Sequence, residues 1–147
     1  MAIADPVCKL LGITASGPLR LMSAVQDGLP LTSLDRIVEV VAPLDSKFAS
    51  RIIARATLAR RRKASSAARN RPEGRLSTEE GSRLARFATV WAMALDVWGG
   101  AEPASIFMYE GHPLLQGRRP VDVVLENEFG RPVVEGILGR LQAGSAV

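Results

Sequence analysis

Apolar residues in this chain recur at steps of three and four over most of its length, the spacing of helices that bury one face. The longest such run lies between Leu76 and Trp98. Ser77 followed three residues later by Glu80 predicts a capping box, in which each side chain satisfies a backbone N–H that the first helical turn leaves unpaired. Leu84, Phe87, Ala88, Trp91, Leu95 and Trp98 then form one stripe, and Gly99-Gly100 ends it. At roughly 1.5 Å per residue such a helix is about 30 Å long, enough to serve as the spine of a small all-α domain.

The pattern before this helix predicts three shorter ones. Residues 1–16 have weak periodicity and read as a flexible arm, with Val7, Leu10 and Leu11 available to dock. Pro18 opens a helix that stops at Gly28. Thr32 or Ser33 is expected to cap a second, with Leu34, Ile37, Val38 and Val41 on one face, and Asp45 or Ser46 a third, with Phe48, Ile52 and Ile53 apolar. The chain then runs with little punctuation into the basic stretch Arg55 to Lys63, so residues 17–63 read as a helix-turn-helix with its last helix exposed. Residues 64–75 are small, polar and basic, a linker to a C-terminal domain over 76–147. In that domain the long helix is followed by a short one carrying Ile106 and Phe107, and by a turn-rich passage over 109–120. A short helix with Val121, Val124 and Leu125 comes next, then a last helix opened by Arg131-Pro132, and a small-residue tail. The fold class is all-α.

Charge divides the chain at the capping box. Residues 1–75 carry 13 Lys and Arg against 6 Asp and Glu, a net +7, whereas residues 76–147 carry 6 against 9, a net −3. Opposite charge on the two halves points to two partners, the basic half to an anionic polymer. Nine basic residues and one acid lie between Arg51 and Arg75, and Arg51, Arg55, Arg60, Arg61, Arg62 and Lys63 are the candidates for contact with DNA phosphates. A composition 47% hydrophobic and 23% charged is an ordinary globular balance, so a core can form. No apolar run approaches the roughly 20 residues of a membrane span. The N-terminus, with Asp5 and Pro6, lacks a signal-peptide pattern, and the one cysteine, Cys8, suits a reducing compartment; the expected location is the cytoplasm.

Catalytic chemistry has no constellation to rest on. His112 is the single histidine, with no second ligand nearby to complete a metal site, and reads as a turn residue. Cys8 has no histidine partner, and Glu79-Glu80 and Glu126 with Glu128 are explained as cap and surface charge. No cofactor, metal or enzymatic activity is expected. Trp91 and Trp98, seven apart on one face, are more readily core than interface, although one of them sitting in a partner contact fits tryptophan's enrichment at hot spots.

The order of pieces from Leu76 to Gly144 resembles the toxin-binding domain of the MbcA/ParS/Xre antitoxins, and the basic segment Leu31 to Lys63 resembles their helix-turn-helix more loosely. The residues that carry the resemblance are Leu76-Ser77 with Glu79-Glu80, Arg83-Leu84 with Arg86, and the long helix ending near Trp98. Pro113-Leu114-Leu115 with Gly117 and Pro120, the step from Glu128 to Gly130, and Leu138 to Gly144 complete it, with His112 standing where the family commonly has asparagine. The resemblance implies a non-enzymatic antitoxin of a type II toxin–antitoxin system. It would neutralise a RES-domain toxin, an NAD-consuming or ADP-ribosylating enzyme, by covering the active site with its C-terminal domain and tail. It would also dimerise within a hetero-oligomer and bind the operator DNA of its own operon. Carried over by position, Gly144, Ser145, Ala146 and Val147 with Arg140 behind them would block the toxin, and Thr57 joins Arg60 and Arg61 on the DNA side. Arg83 and Arg86 divide evenly between ion pairs inside the domain and contacts with the toxin. The alternative is a stand-alone helix-turn-helix transcriptional regulator that dimerises through its C-terminal half.

Overall fold

The computed structural model describes residues 4–14, 16–42, 44–67 and 74–144, and among them it contains α-helices, one 3-10 turn and no strand. The helices are α1 (Ala4–Leu11), α2 (Pro18–Asp27), α3 (Leu31–Val41), α4 (Phe48–Ile52), α5 (Arg55–Ala67), α6 (Thr78–Trp98), α7 (Ala101–Tyr109), α8 (Pro120–Glu126) and α9 (Gly130–Gln142), with the 3-10 turn at Pro113–Leu115. The all-α expectation therefore holds. The chain divides into two compact units, Met1–Ala85 and Arg86–Val147, and the boundary falls inside α6. No helix of the described residues is long and apolar enough to cross a membrane.

In the first unit the N-terminal stretch expected to be an arm is helical. Val7, Cys8 and Leu11, at positions i, i+1 and i+4, are buried on one face of α1. The C-terminal carbonyls of α1 find donors on α3: Ser33 Oγ donates to the Leu11 oxygen (2.5 Å), and Arg36 donates through Nε to Leu10 (3.3 Å) and through Nη2 to Lys9 (3.2 Å). Gly12 turns the chain with φ +68°, a conformation few residues but glycine adopt readily. Ser33 is thus fully buried inside α3 rather than its cap; the helix starts at Leu31 behind Pro30, and its serine is spent on another helix.

The turn that the sequence leaves unmarked lies at Ile53, whose φ −146° and ψ 137° are extended. A helix would place Ile52 and Ile53 about 100° apart, and the break lets both be buried. The expected linker is helical at its start, because α5 continues through Ala64 to Ala67; residues 68–73 lie outside the described residues. Where description resumes, Leu76 N donates to the Leu29 oxygen (2.9 Å) and Arg75 Nη1 to the Gly28 oxygen (2.9 Å), tying the approach to α6 onto the α2–α3 connection.

The capping box forms as expected. Ser77 N donates to Glu80 Oε1 (2.8 Å), and Glu80 N donates to Ser77 Oγ (3.2 Å). The apolar stripe is buried through Leu84, Phe87, Ala88 and Trp91, but Ala85, Val90, Ala92 and Ala94 are buried as well, so the middle of α6 is enclosed on more than one side. Small side chains on the far faces of the helix permit that enclosure. Trp91 is 1% exposed and stacks on Phe87, whereas Trp98, at the end of the stripe, is 40% exposed.

In the second unit Met108, Val121, Val124, Val134, Ile137 and Leu138 supply the core, and α8 packs closely on α9. Arg86 donates through Nε to the Val124 oxygen (2.6 Å), serving a carbonyl at the end of α8 that has no helical partner. At the other end of α6 and α9, Gln142 Nε2 donates to Asp96 Oδ2 (3.1 Å). His112 is a turn residue: its Nδ1 accepts from Leu114 N (3.1 Å) at the head of the 3-10 turn. An asparagine side-chain oxygen at this position would make the same bond.

Candidate functional site

Two surfaces follow from this architecture, one on each unit. On the first, α5 sorts its run of cations by helical phase. Thr57, Leu58, Arg61 and Ala64 turn partly inward, and Arg55, Arg60, Arg62 and Lys63 turn outward. Arg61 bonds Glu80 through Nη1 and also donates to the Arg75 oxygen (3.2 Å), with side-chain exposures of 16% and 15% for Arg61 and Glu80. Burial alone would raise the Glu80 carboxyl, but hydrogen bonds from Ser77 and Arg61 outweigh it and hold the pKa below the ordinary carboxylate value. Arg62 forms a two-pronged pair with Asp35 of α3 (2.7 and 3.2 Å), which raises its pKa despite partial desolvation.

Arg55, Arg60 and Lys63 are exposed and have no side-chain partner among the described residues, so they form the free cationic surface of α5. Arg60 and Lys63, three residues apart, share one face with Ala56. Arg51, on α4, is half-buried. Arg83 works within the same unit, donating to the Ile52 oxygen (2.7 Å) at the turn between α4 and α5 and pairing with Glu79 (2.7 Å). Two clamps, Arg61–Glu80 and Arg83–Ile52, therefore join the start of α6 to α5 and to the turn before it.

The second surface is a cavity of about 360 Å³ in the second unit, lined by Trp98, Phe107 and Leu141 with Ile106, Glu110 and His112 at its mouth. The Phe107 ring lies 6.0 Å from both Trp98 and His112, an aromatic row that builds one wall. Ile106 is 52% exposed, and Glu110 has no side-chain partner among the described residues.

Residues 93–144, which include all of this cavity, match the family model described as the antitoxin Xre/MbcA/ParS C-terminal toxin-binding domain. This segment is similar to the toxin-binding domain of the Xre/MbcA/ParS antitoxins. The chain is also 36% identical over 72 residues to an antitoxin Xre of Yersinia enterocolitica, a stretch that covers 49% of this chain and 49% of that protein. The chain thus matches about half the length of this relative.

The residues expected to meet a toxin fall into three groups. Arg83 and Arg86 both precede the matched segment; Arg86 is turned inward, and Arg83 holds the first unit. Arg140 is exposed on α9 without a partner among the described residues, and Gly144 follows the end of α9 with φ +83°. Ser145, Ala146 and Val147 lie outside the described residues. Sequence reasoning gives Ile106 and Glu110 no role, because Ile106 reads as an apolar member of a short helix and Glu110 as part of the turn-rich passage; the signal available is Trp98 at the exposed end of the stripe.

Proposed function

We propose that this chain is the antitoxin of a type II toxin–antitoxin pair and acts in the cytoplasm without catalysis of its own. The observation that carries the proposal is the match of residues 93–144 to a toxin-binding domain. The toxin is a RES-domain enzyme that consumes NAD or transfers ADP-ribose, as the motif order from Leu76 to Gly144 implies. Arg140 and the segment from Gly144 to Val147 lie over its active-site entrance, where small residues suit entry into a narrow pocket. Co-expression with the product of the neighbouring gene tests this. A stable complex and restored growth are expected, and a complex that leaves the toxin active would sink neutralisation by occlusion.

The first unit binds the operator of the same operon through α5, in a homodimer whose two copies read two half-sites. The free cations Arg55, Arg60 and Lys63 support this. In a mobility-shift assay, Arg60→Ala with Lys63→Ala is expected to weaken binding to every sequence and to flatten the salt dependence by about 2 in the log–log slope, since each phosphate contact contributes roughly 0.9. Arg61 is left in place because it holds Glu80. An unchanged slope would move the DNA face off α5.

A further inference from the structure

We propose that the cavity between the end of α6, α7 and the end of α9 is the anchoring pocket for the toxin: it takes one projecting apolar side chain of the toxin, flanked by a basic residue that meets Glu110. This rests on the antitoxin reading given above. The pocket's walls are Trp98, Phe107 and Leu141, and its mouth is open, with Trp98 40% and Ile106 52% exposed. A volume of about 360 Å³ lies at the low end of roughly 300–1,000 Å³ for small-molecule sites, and the lining offers few polar groups to orient a nucleotide-sized ligand. An aromatic or branched side chain entering it would be desolvated on several sides, the setting in which single residues dominate an interface.

Three features select a toxin as the occupant. All of the lining falls within the segment matched as toxin-binding. Glu110 stands at the mouth without a side-chain partner among the described residues, so a basic residue beside the inserted side chain completes its charge, and acidic side chains are rejected. The pocket is also continuous with the proposed blocking segment, since Leu141 lines it, Arg140 precedes it exposed, and Gly144 lies three residues beyond. A side chain held there fixes the end of α9 against the toxin and delivers the tail to one place on its surface. Anchoring by the pocket and occlusion by the tail are then separate tasks, the first setting affinity and the second inhibition.

The test uses the full chain and the purified, catalytically inactive product of the neighbouring gene, with affinity measured by biolayer interferometry. Ile106→Glu is expected to weaken the complex about tenfold or more, and Glu110→Lys several-fold, while Phe129→Ser, a change at a 75% exposed apolar residue outside the pocket, leaves affinity within twofold. Thermal melts of each variant show whether the fold is intact; both pocket substitutions sit at exposed positions, Ile106 on α7 and Glu110 just past its end. Wild-type binding with both pocket variants within twofold of it overturns the pocket and leaves the antitoxin reading standing. Conversion of a dimer to a monomer by Ile106→Glu, at unchanged toxin affinity, assigns the pocket to a second copy and also overturns the proposal. No complex with the wild-type chain overturns the antitoxin reading and the toxin's place in the pocket with it.

Discussion

Gly130→Ala is expected to destabilise the protein by about 3 kcal/mol, seen as a fall of roughly 10 °C in the thermal midpoint by circular dichroism. Gly130 opens α9 where the helix meets α8. A Cβ on its backbone would stand 2.7 Å from the Val123 carbonyl carbon and closer still to its oxygen. Neither neighbour is a flexible side chain, so relief requires α8 and α9 to separate, and that loosens the packing of two helices that bury Val124, Val134 and Leu138. Gly136 and Gly139 on the same helix have nothing within reach of an added Cβ. Alanine at either is therefore expected to be neutral or mildly stabilising through helix propensity. Equal midpoints for the three variants would sink the close-approach argument.

Arg86→Ala is expected to cost about 2 kcal/mol, because it leaves the Val124 carbonyl at the end of α8 without its charged donor. The matching measurement is Arg140→Ala, which removes an exposed cation without a partner among the described residues and is expected to change stability by less than about 0.5 kcal/mol. Urea unfolding of both variants beside toxin neutralisation separates the roles. Neutralisation lost with Arg140→Ala at unchanged stability marks a contact with the toxin. With Arg86→Ala, the loss should follow the unfolded fraction. An Arg86→Ala protein as stable as the wild type, yet unable to bind toxin, would place this arginine at the interface instead.

The two arginines were indistinguishable as letters in a helix, and the same is true of the run Arg60-Arg61-Arg62-Lys63. Each member of that run carries equal charge. What divides them is which side chain meets Glu80, 19 residues away from Arg61, and which meets Asp35, 27 away from Arg62. Ser33 departs from its expected place as a cap for a related reason. A serine near a helix start favours the cap when only its neighbours are considered, but the Leu11 carbonyl 22 residues earlier is the acceptor it serves. The N-terminal helix had weak periodicity because eight residues give barely two turns of pattern, and its burial depends on donors from α3.

The sequence by itself determined the features whose partners lie within a turn or two. These are the capping box at Ser77 and Glu80, the stripe from Leu84 to Trp91, the order of helices, the split of charge, and the motif succession that marks the C-terminal region. Short-range hydrogen bonds and helical periodicity are local, so their record is contiguous. Only the tertiary structure decided which cations are spent inside the protein, where the chain breaks between Ile52 and Arg55, why position 130 is glycine, and that Trp98, Phe107 and Leu141 enclose a cavity. Each of these depends on how separate elements pack against one another. Burial, close approach and electrostatic pairing are properties of that assembly, and helical periodicity alone does not record them.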